Sequence, residues 1–509
     1  MLVHIYNIIN AFTITIICNF IVFAVELYLD LRQSKRIRTT TELPEILELQ
    51  IQEQEYKEIQ TYNILRLSFS RLQSVFGYIN ETCILTWGSL NWFYNLAVRM
   101  NRVLFHMTEE HQIGNGITFL ILVSLFSALM KSPFEIYRIT VIDSKFVSDY
   151  YHTKQVLLMW MLGQLKIVAL SLVIGIPLLA LILKLIYIGN IIHWVYVWLG
   201  GVATSLCITE LYPAYIQPFF HRMQSLPECD LRTKIEMVFS KLNVKLEDIV
   251  IIEGYADGDS HANAFITGGA SGKARLHIYD EMIYQLTDDE IMAILAHEIG
   301  HFQNKHSITE VFMQAISFGI FFTALHSCIY RDSFYEAFGI EKRTAMVNPA
   351  IGLVLFSFLY GPWTSVTGTF INIMRRQFEY NCDLFAERNG YPIATALIKL
   401  HASNVFSLVV DKAWSRYYQA HPSLMERLQN IELFYKDKKR QERITNRSFE
   451  TPMLNRSPEP ETPPSSTIPF PHLQQQTYQH QQQPSQLTYQ QYHSFPQQQQ
   501  QQHYQHQQQ

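Results

Sequence analysis

The stretch Leu2–Val25 contains no Asp, Glu, Lys or Arg. Blocks of this kind constrain the chain more than any other feature. About 20 apolar residues cross a bilayer as a helix, and in lipid every backbone N–H and C=O must be satisfied inside the segment. Six further apolar blocks follow: Thr82–Val98, Thr118–Met130 with its flanks, Ile167–Leu183, Leu185–Thr209, Ile308–Ile329 and Val347–Met374. Seven spans are therefore expected. The second is the weakest, since Glu81 and Asn91 call for a face turned to protein or water rather than lipid. The fourth and fifth meet in a tight hairpin around Gly189–Asn190. Leu2–Val25 lacks a basic leader and a small-residue cleavage site, so it reads as an uncleaved anchor and not a signal peptide. Arg32, Lys35, Arg36 and Arg38 follow it at once, which puts that side in the cytosol and the N-terminus in the lumen.

Between the blocks lie pieces of soluble character. Leu43–Ser74 is polar with helical spacing and reads as a cytosolic helix pair. Within Glu210–Lys305, Leu231–Leu242 reads as a helix and Ile249–Glu253 as a strand. Ala264–Thr267, a glycine-rich turn at Gly268–Gly272, and Ala274–Tyr279 read as strand, turn, strand. Alternation of the spans puts this region, and all that follows the seventh span, on the cytosolic face. Past Arg375 the chain is polar and helical to about Arg443. From Pro452 it turns proline-rich and then glutamine-rich, a composition that cannot bury a core. The divisions expected are 1–209 (spans one to five with their cytosolic loops), 210–307 (the first soluble part), 308–374 (spans six and seven), 375–445 (the second soluble part) and the tail 446–509. A net charge of −4 argues against nucleic acid as a partner. The six cysteines show no paired spacing and read as small buried hydrophobes.

Chemistry concentrates at Asp288–Lys305, DDEIMAILAHEIGHFQNK, which contains H-E-x-x-H at His297, Glu298 and His301. Its Ala, Leu, Met and Ile content favours helix, and Thr287 with Glu290 spells a capping box. Residues four apart share a helix face, so His297 and His301 can present two imidazoles to one tetrahedral Zn2+ at roughly 2.1 Å. Glu298 sits beside the first ligand, where a general base would stand. Two helical histidines held by ordinary hydrogen bonds is the blander reading. Gly300 costs the helix about 1 kcal/mol relative to alanine, which points to close packing at that spot.

A site of this type takes a third protein ligand and keeps a fourth position open. Glu379 is the best candidate, because spans six and seven can form a hairpin that returns it to the His297/His301 helix. Asp383, one turn further on, is suited to orient a ligating histidine through its distal N–H. Taken alone, this acidic pair would sooner form surface ion pairs with Arg375 and Arg376.

These motifs together resemble the CAAX prenyl protease 1 family, integral-membrane zinc endopeptidases of the endoplasmic reticulum and inner nuclear membrane. The likeness runs from the first span to about Leu428. It includes ELYLDLRQSKRIRTTTELP after span one, FSALMKSPFEIY after span three and ELYPAYIQPFF after span five. It continues through SHANAF at Ser260–Phe265, HEIGH, FEYNCDLFAERNG and HPSLMERL at His421–Leu428. The resemblance implies one zinc per chain on His297, His301 and Glu379, with Glu298 activating water. It implies that Asn263 contacts the substrate backbone and that His421 stabilises the oxyanion. It implies a mainly α, polytopic fold of seven long helices around a water-filled chamber, closed on the cytosolic side by a zinc domain with a small β-sheet. The implied reaction removes the last three residues of farnesylated or geranylgeranylated C-a-a-X proteins at the membrane.

The chain departs from the family at three places. Asn381-Cys382 stands where Gln-Ala is usual, which makes the site oxidisable. The loop around Lys145–Thr153 lacks a Gly-Phe-Asn element, and the glutamine-rich tail is no family feature. A membrane quality-control metalloprotease is the enzymatic alternative, and a non-catalytic membrane scaffold the other. Glu298 speaks against the scaffold, because a structural zinc site has no use for the base. A site-two-type intramembrane protease fits less well, since Asp288, Asp289, Glu290 and Lys305 bracket the zinc helix too closely for a span.

Overall fold

The computed structural model describes residues 10–146, 153–189, 191–211, 216–253, 262–268, 272–340 and 348–449. Met1–Arg443 forms one compact unit. Of the second, Ile444–Gln509, the described part is 444–449, the end of the last helix. The loop residues 147–152, the turn residues 269–271, Ser260 and His261 of the SHANAF segment, 212–215 of ELYPAYIQPFF, and the glutamine-rich tail lie outside the described residues.

The apolar blocks become helices: α1 (Ala11–Thr39), α2 (Glu53–Thr86), α3 (Ser89–Phe105), α4 (Gln112–Tyr137), α5 (Thr153–Leu170), α6 (Ile176–Ile188) and α7 (Ile191–Leu211). Five helical stretches are long and apolar enough to cross a membrane: Ala11–Thr39, Gln112–Phe146, Leu157–Ile188, His306–Ile329 and Pro349–Arg388. The last two belong to α10 and α11 below. The other two expected spans do not reach that standard among the described residues. The second is interrupted: α2 stops at Thr86, Gly88 takes a left-handed φ of 66°, and α3 starts afresh at Ser89. The fifth falls on α7, a helix of 21 residues with the apolar stretch Trp194–Cys207. Nor is Leu43–Ser74 a helix pair. It is a single 3-10 turn at Glu45–Leu47 followed by α2, which runs unbroken for 34 residues into the expected span. Large apolar side chains point outward from the spanning helices, Val173 being 75% exposed, as suits a lipid-facing surface. Between the helices, Phe93 and Phe119 pack with Leu325, Leu355 and Phe356 in a buried cluster.

The sheet has the order β1-β2-β4-β3, with β1 at Arg222–Ser225, β2 at Leu246–Glu253, β3 at Ala264–Thr267 and β4 at Ala274–Tyr279. β1 and β2 are antiparallel, β2 and β4 parallel, β4 and β3 antiparallel. The expected strand–turn–strand thus forms a hairpin, Ala264 opposite Ile278, and β3 becomes an edge strand. The helix α8 (Asp230–Lys241) and α9 (Asp288–Gln303) pack together, and β3 lies beside α9. The capping box at Thr287 and Glu290 is present in full.

Two joints tie the protease segments to the spans. First, α9 runs through a tight turn, with Lys305 at φ 52°, straight into α10 (His306–Ile329). Second, α11 (Pro349–Arg388) is one continuous helix of 40 residues. Asn348 caps it by accepting from Ala350 N at 2.9 Å, and Pro349 sits where its missing N–H costs nothing. The seventh span and the segment carrying Glu379 are therefore one rod, not a span followed by a separate polar helix. Arg375 clasps Glu310 of α10 with two bonds of 3.0 and 3.1 Å. After α12 (Ala394–Ser403) and α13 (Lys412–Tyr418), α14 (Leu424–Phe449) completes the described chain.

The first helix reaches the same region. Glu26, Asp30 and Gln33 lie on one face at helical spacing. Glu26 accepts from Tyr417 Oη at 2.9 Å and Asp30 from Trp414 Nε1 at 2.8 Å. The Gln33 side chain accepts from Asp411 N at 2.6 Å. The polar end of the first span, quoted above as a motif, is thus a handle for the loop that leads to His421.

Gly300 does mark a close approach. A Cβ there would stand 3.1 Å from Phe385 Cδ1 and 3.3 Å from Cys382 Sγ, both on α11. Gly300→Ala gains about 1 kcal/mol of helix propensity and loses about 1–3 kcal/mol by overpacking. Thermal unfolding in detergent is expected to show a lowered midpoint. A raised midpoint would mean that the two helices part without strain.

Candidate metal centre

The N-terminal half of α9 is buried by Ile291, Leu295 and Ile299, which turns His297 and His301 toward α11. There Glu379, 4% exposed, comes up from the end of the span. His297 Nε2 and His301 Nε2 are 3.1 Å apart. Glu379 Oε2 lies 3.5 Å from the first and Oε1 3.3 Å from the second. A tetrahedral ion with bonds of roughly 2.1 Å separates its ligands by about 3.4 Å. The donor set has that spacing, and Glu379 Oε2 is buried with no hydrogen-bond partner. Arg427 Nη1, 3.5 Å from that oxygen, eases its charge without a hydrogen bond, which leaves a buried lone pair facing the two imidazoles, so these residues fit a divalent metal.

Asp383, fully buried, accepts a hydrogen bond from His297 Nδ1 at 3.0 Å. That bond directs the Nε2 lone pair at the other two donors. Arg427 of α14, which sequence reasoning had not singled out, holds Asp383 from below. Its Nε and Nη2 donate to the two carboxylate oxygens at 2.9 and 2.5 Å, a bidentate pair. Burial works against the charge on Arg427, and Asp383 and Glu379 outweigh it. The only sequence signal for Arg427 was its place in the HPSLMERL segment.

The surface pairing of Arg375 and Arg376 with Glu379 and Asp383, the blander alternative for that acidic pair, does not occur. Arg376 is buried and turns to the loop before α14. It donates to Ser415 Oγ at 2.8 Å, to the His421 carbonyl at 3.2 Å and to Glu426 Oε2 at 2.6 Å. Glu426 also accepts from Ser423 N, which closes the turn. His421 is thereby held at the mouth of the site. Its side chain is 71% exposed, with Nδ1 2.9 Å from Glu379 Oε1.

Glu298 lies close enough to His297, His301, Glu379 and His421 to feel their charges. Burial pushes its carboxyl above the usual carboxylate range, while His297 and His301 pull the other way. For His297 burial acts to lower the pKa, but Asp383 and Glu379 overcome it and push it up to about 9 in the metal-free protein. A second unforeseen residue is His306, buried at the start of α10, whose Nδ1 lies 3.1 Å from His301 Nδ1. Asn263 is exposed just ahead of the edge strand β3, and its Oδ1 accepts from Ala264 N at 2.9 Å.

The geometry agrees with what the chain is similar to. A family model described as CAAX prenyl protease N-terminal, five membrane helices, matches residues 33–222, and one for peptidase family M48 matches residues 225–433. CAAX prenyl protease 1 of Saccharomyces cerevisiae is 31% identical over 438 residues, covering 82% of this chain and 94% of that protein. The CAAX prenyl protease 1 homolog of Arabidopsis thaliana is 29% identical over 419 residues, 81% of this chain and 95% of that protein. The crystal structure of S. mikatae Ste24p superimposes with a TM-score of 0.75 at 26% identity, covering 83% of this chain and 99% of that one. Membrane-spanning helices, a buried two-histidine, one-glutamate cluster and these matches lead to one conclusion: the chain belongs to the CAAX prenyl protease 1 family and is a multi-pass membrane metalloendopeptidase.

Proposed function

We propose that this protein is a zinc endopeptidase that removes the C-terminal tripeptide from prenylated C-a-a-X proteins at the endoplasmic reticulum membrane. The observation that carries the reading is the triangle of His297, His301 and Glu379 donors, set at ligand spacing on the continuation of a membrane span. Two imidazoles and a carboxylate suit zinc. Bound there, zinc supplies Lewis acidity, polarising a carbonyl and making water a stronger acid.

The remaining work falls to the chain. Glu298 takes a proton from the attacking water and delivers it to the leaving amine, a role served by a carboxyl whose pKa burial has raised. His421, exposed beside Glu379, donates to the carbonyl oxygen as charge develops on it, a contribution of about 3–4 kcal/mol in comparable sites. Asn263 leads into the edge strand β3, where an extended peptide can add as a further strand and reach α9. A prenyl group stays in or near the bilayer or in a chamber between the spans while the peptide end reaches the metal. We read 210–307 and 375–445 as the two halves of the protease.

Cleavage of a farnesylated C-a-a-X peptide by the purified protein in detergent, read by mass spectrometry, tests the reading. Wild type is expected to release the last three residues, and Glu298→Gln to retain zinc but lose at least 1,000-fold in kcat. Release from unprenylated unfolded chains alone would move the function to quality control. Metal affinity provides a second check. His297 carries a proton below pH of about 9 in the metal-free site, and the ion must displace it. Apparent zinc affinity is therefore expected to fall about tenfold for each unit of pH lowered between about 8 and 6, measured against a competing chelator. A flat profile would show that Asp383 and Glu379 do not hold His297 protonated in the metal-free site.

A further inference from the structure

The back of His301 faces a second set of donors. Its Nε2 looks toward His297 and Glu379, whereas its Nδ1 lies 3.1 Å from His306 Nδ1. Cys382 Sγ stands 3.7 Å from the same His306 nitrogen. The ligand atoms of His301, His306 and Cys382 all lie within 4.8 Å of one another. Cys382 is fully buried and His306 nearly so, with its ring stacked on Phe378 at 4.2 Å. Glu379, Cys382 and Asp383 share one face of α11, so the thiol is presented beside the first site and not away from it.

We propose that His301 Nδ1, His306 Nδ1 and Cys382 Sγ form a second metal site, back to back with the first, that takes a thiophilic divalent ion and inhibits the enzyme. The spacing suits such an ion. Tetrahedral zinc with bonds of roughly 2.1 Å to nitrogen and 2.3 Å to sulfur sets N···N at about 3.4 Å and N···S at about 3.6 Å. One thiolate and two imidazoles select zinc or cadmium over hard ions such as magnesium or calcium. None of the six cysteines is in a disulfide, so the thiol is free to ligate. His301 is the open member, with 24% of its side chain exposed, and offers the way in.

The inference rests on the reading of His301 as a ligand of the catalytic zinc, and inhibition follows from the sharing. With the first ion alone, His301 Nδ1–H donates to His306 Nδ1 and is held in place by it. Binding the second ion forms bonds to sulfur and to both Nδ1 atoms. It releases the Sγ–H proton and the His301 Nδ1 proton to solvent, leaving His301 as an imidazolate between two cations. An imidazolate donates more charge to the first ion than neutral imidazole does, and that ion would then polarise carbonyl and water less.

The test is a cadmium titration of the zinc-loaded, full-length protein in detergent. The readouts are the ultraviolet thiolate-to-cadmium band, metal per chain, and cleavage of the farnesylated peptide. Wild type is expected to gain the band with one additional ion and to lose cleavage. Cys382→Ala is expected to cleave normally without cadmium, to lack that increment in the band, and to need at least tenfold more cadmium for inhibition. Cys382→Ser, closer in size, is expected to behave like the alanine variant. Equal bands and equal inhibition in all three, or no extra ion in wild type, would overturn the second site. A wild type that holds zinc yet never cuts the peptide would instead sink the proposed function, and the band would still decide the second site.

Discussion

Everything at the candidate metal centre leans on one buried charge pair. Asp383 is fully buried and its two oxygens are taken by Arg427, with His297 as the third partner. Removing either charge would strand the other in a low-dielectric interior, at about 3–5 kcal/mol. The pair joins three helices that are far apart in the chain: α9, α11 and α14. It also fixes which nitrogen of His297 is free, so a stability element and a tautomer choice are the same interaction. Glu379 then needs only its position one turn earlier on α11 to complete the donor set.

That position comes from the membrane. Because α11 is continuous from Pro349 to Arg388, the carboxylate is mounted on a rod whose lower part is a span. The histidines have the same kind of mounting, since α9 passes through one turn into α10. The Arg375–Glu310 clasp ties the two rods together where the chain leaves its apolar stretches. Meanwhile α1 grips the loop before His421 through Glu26, Asp30 and Gln33. The candidate ligands and the exposed His421 are thus tied to the spanning helices. This arrangement suits a protease whose substrate is anchored in lipid.

Local signals were read well where the physics is local. The capping box at Thr287, the strands Ala264–Thr267 and Ala274–Tyr279, and the close approach at Gly300 are all present. Each depends on a few neighbouring residues or on the demand of one backbone position. The expected helix pair in Leu43–Ser74 failed because periodicity registers a helix without registering where it ends. Here α2 continues to Thr86, and the break comes only at the left-handed Gly88. That same break removed the second expected span from the helices long enough to cross a bilayer. Arg427 and His306 went unnoticed since a lone arginine or histidine on a helix carries no mark of burial.

The amino-acid sequence by itself determined that the chain is a membrane protein with helical spans. It also determined that His297, Glu298 and His301 share one capped helix, because block length and four-residue spacing act within a single element. Tertiary structure decided the rest. It made the span and the Glu379 helix one rod, set Glu379 at 3.5 and 3.3 Å from the two histidines, and slid Arg427 beneath Asp383. It also turned the second nitrogen of His301 toward His306 and Cys382. These partners lie far apart in sequence, and only packing of the helices against one another selects which buried charges and lone pairs meet.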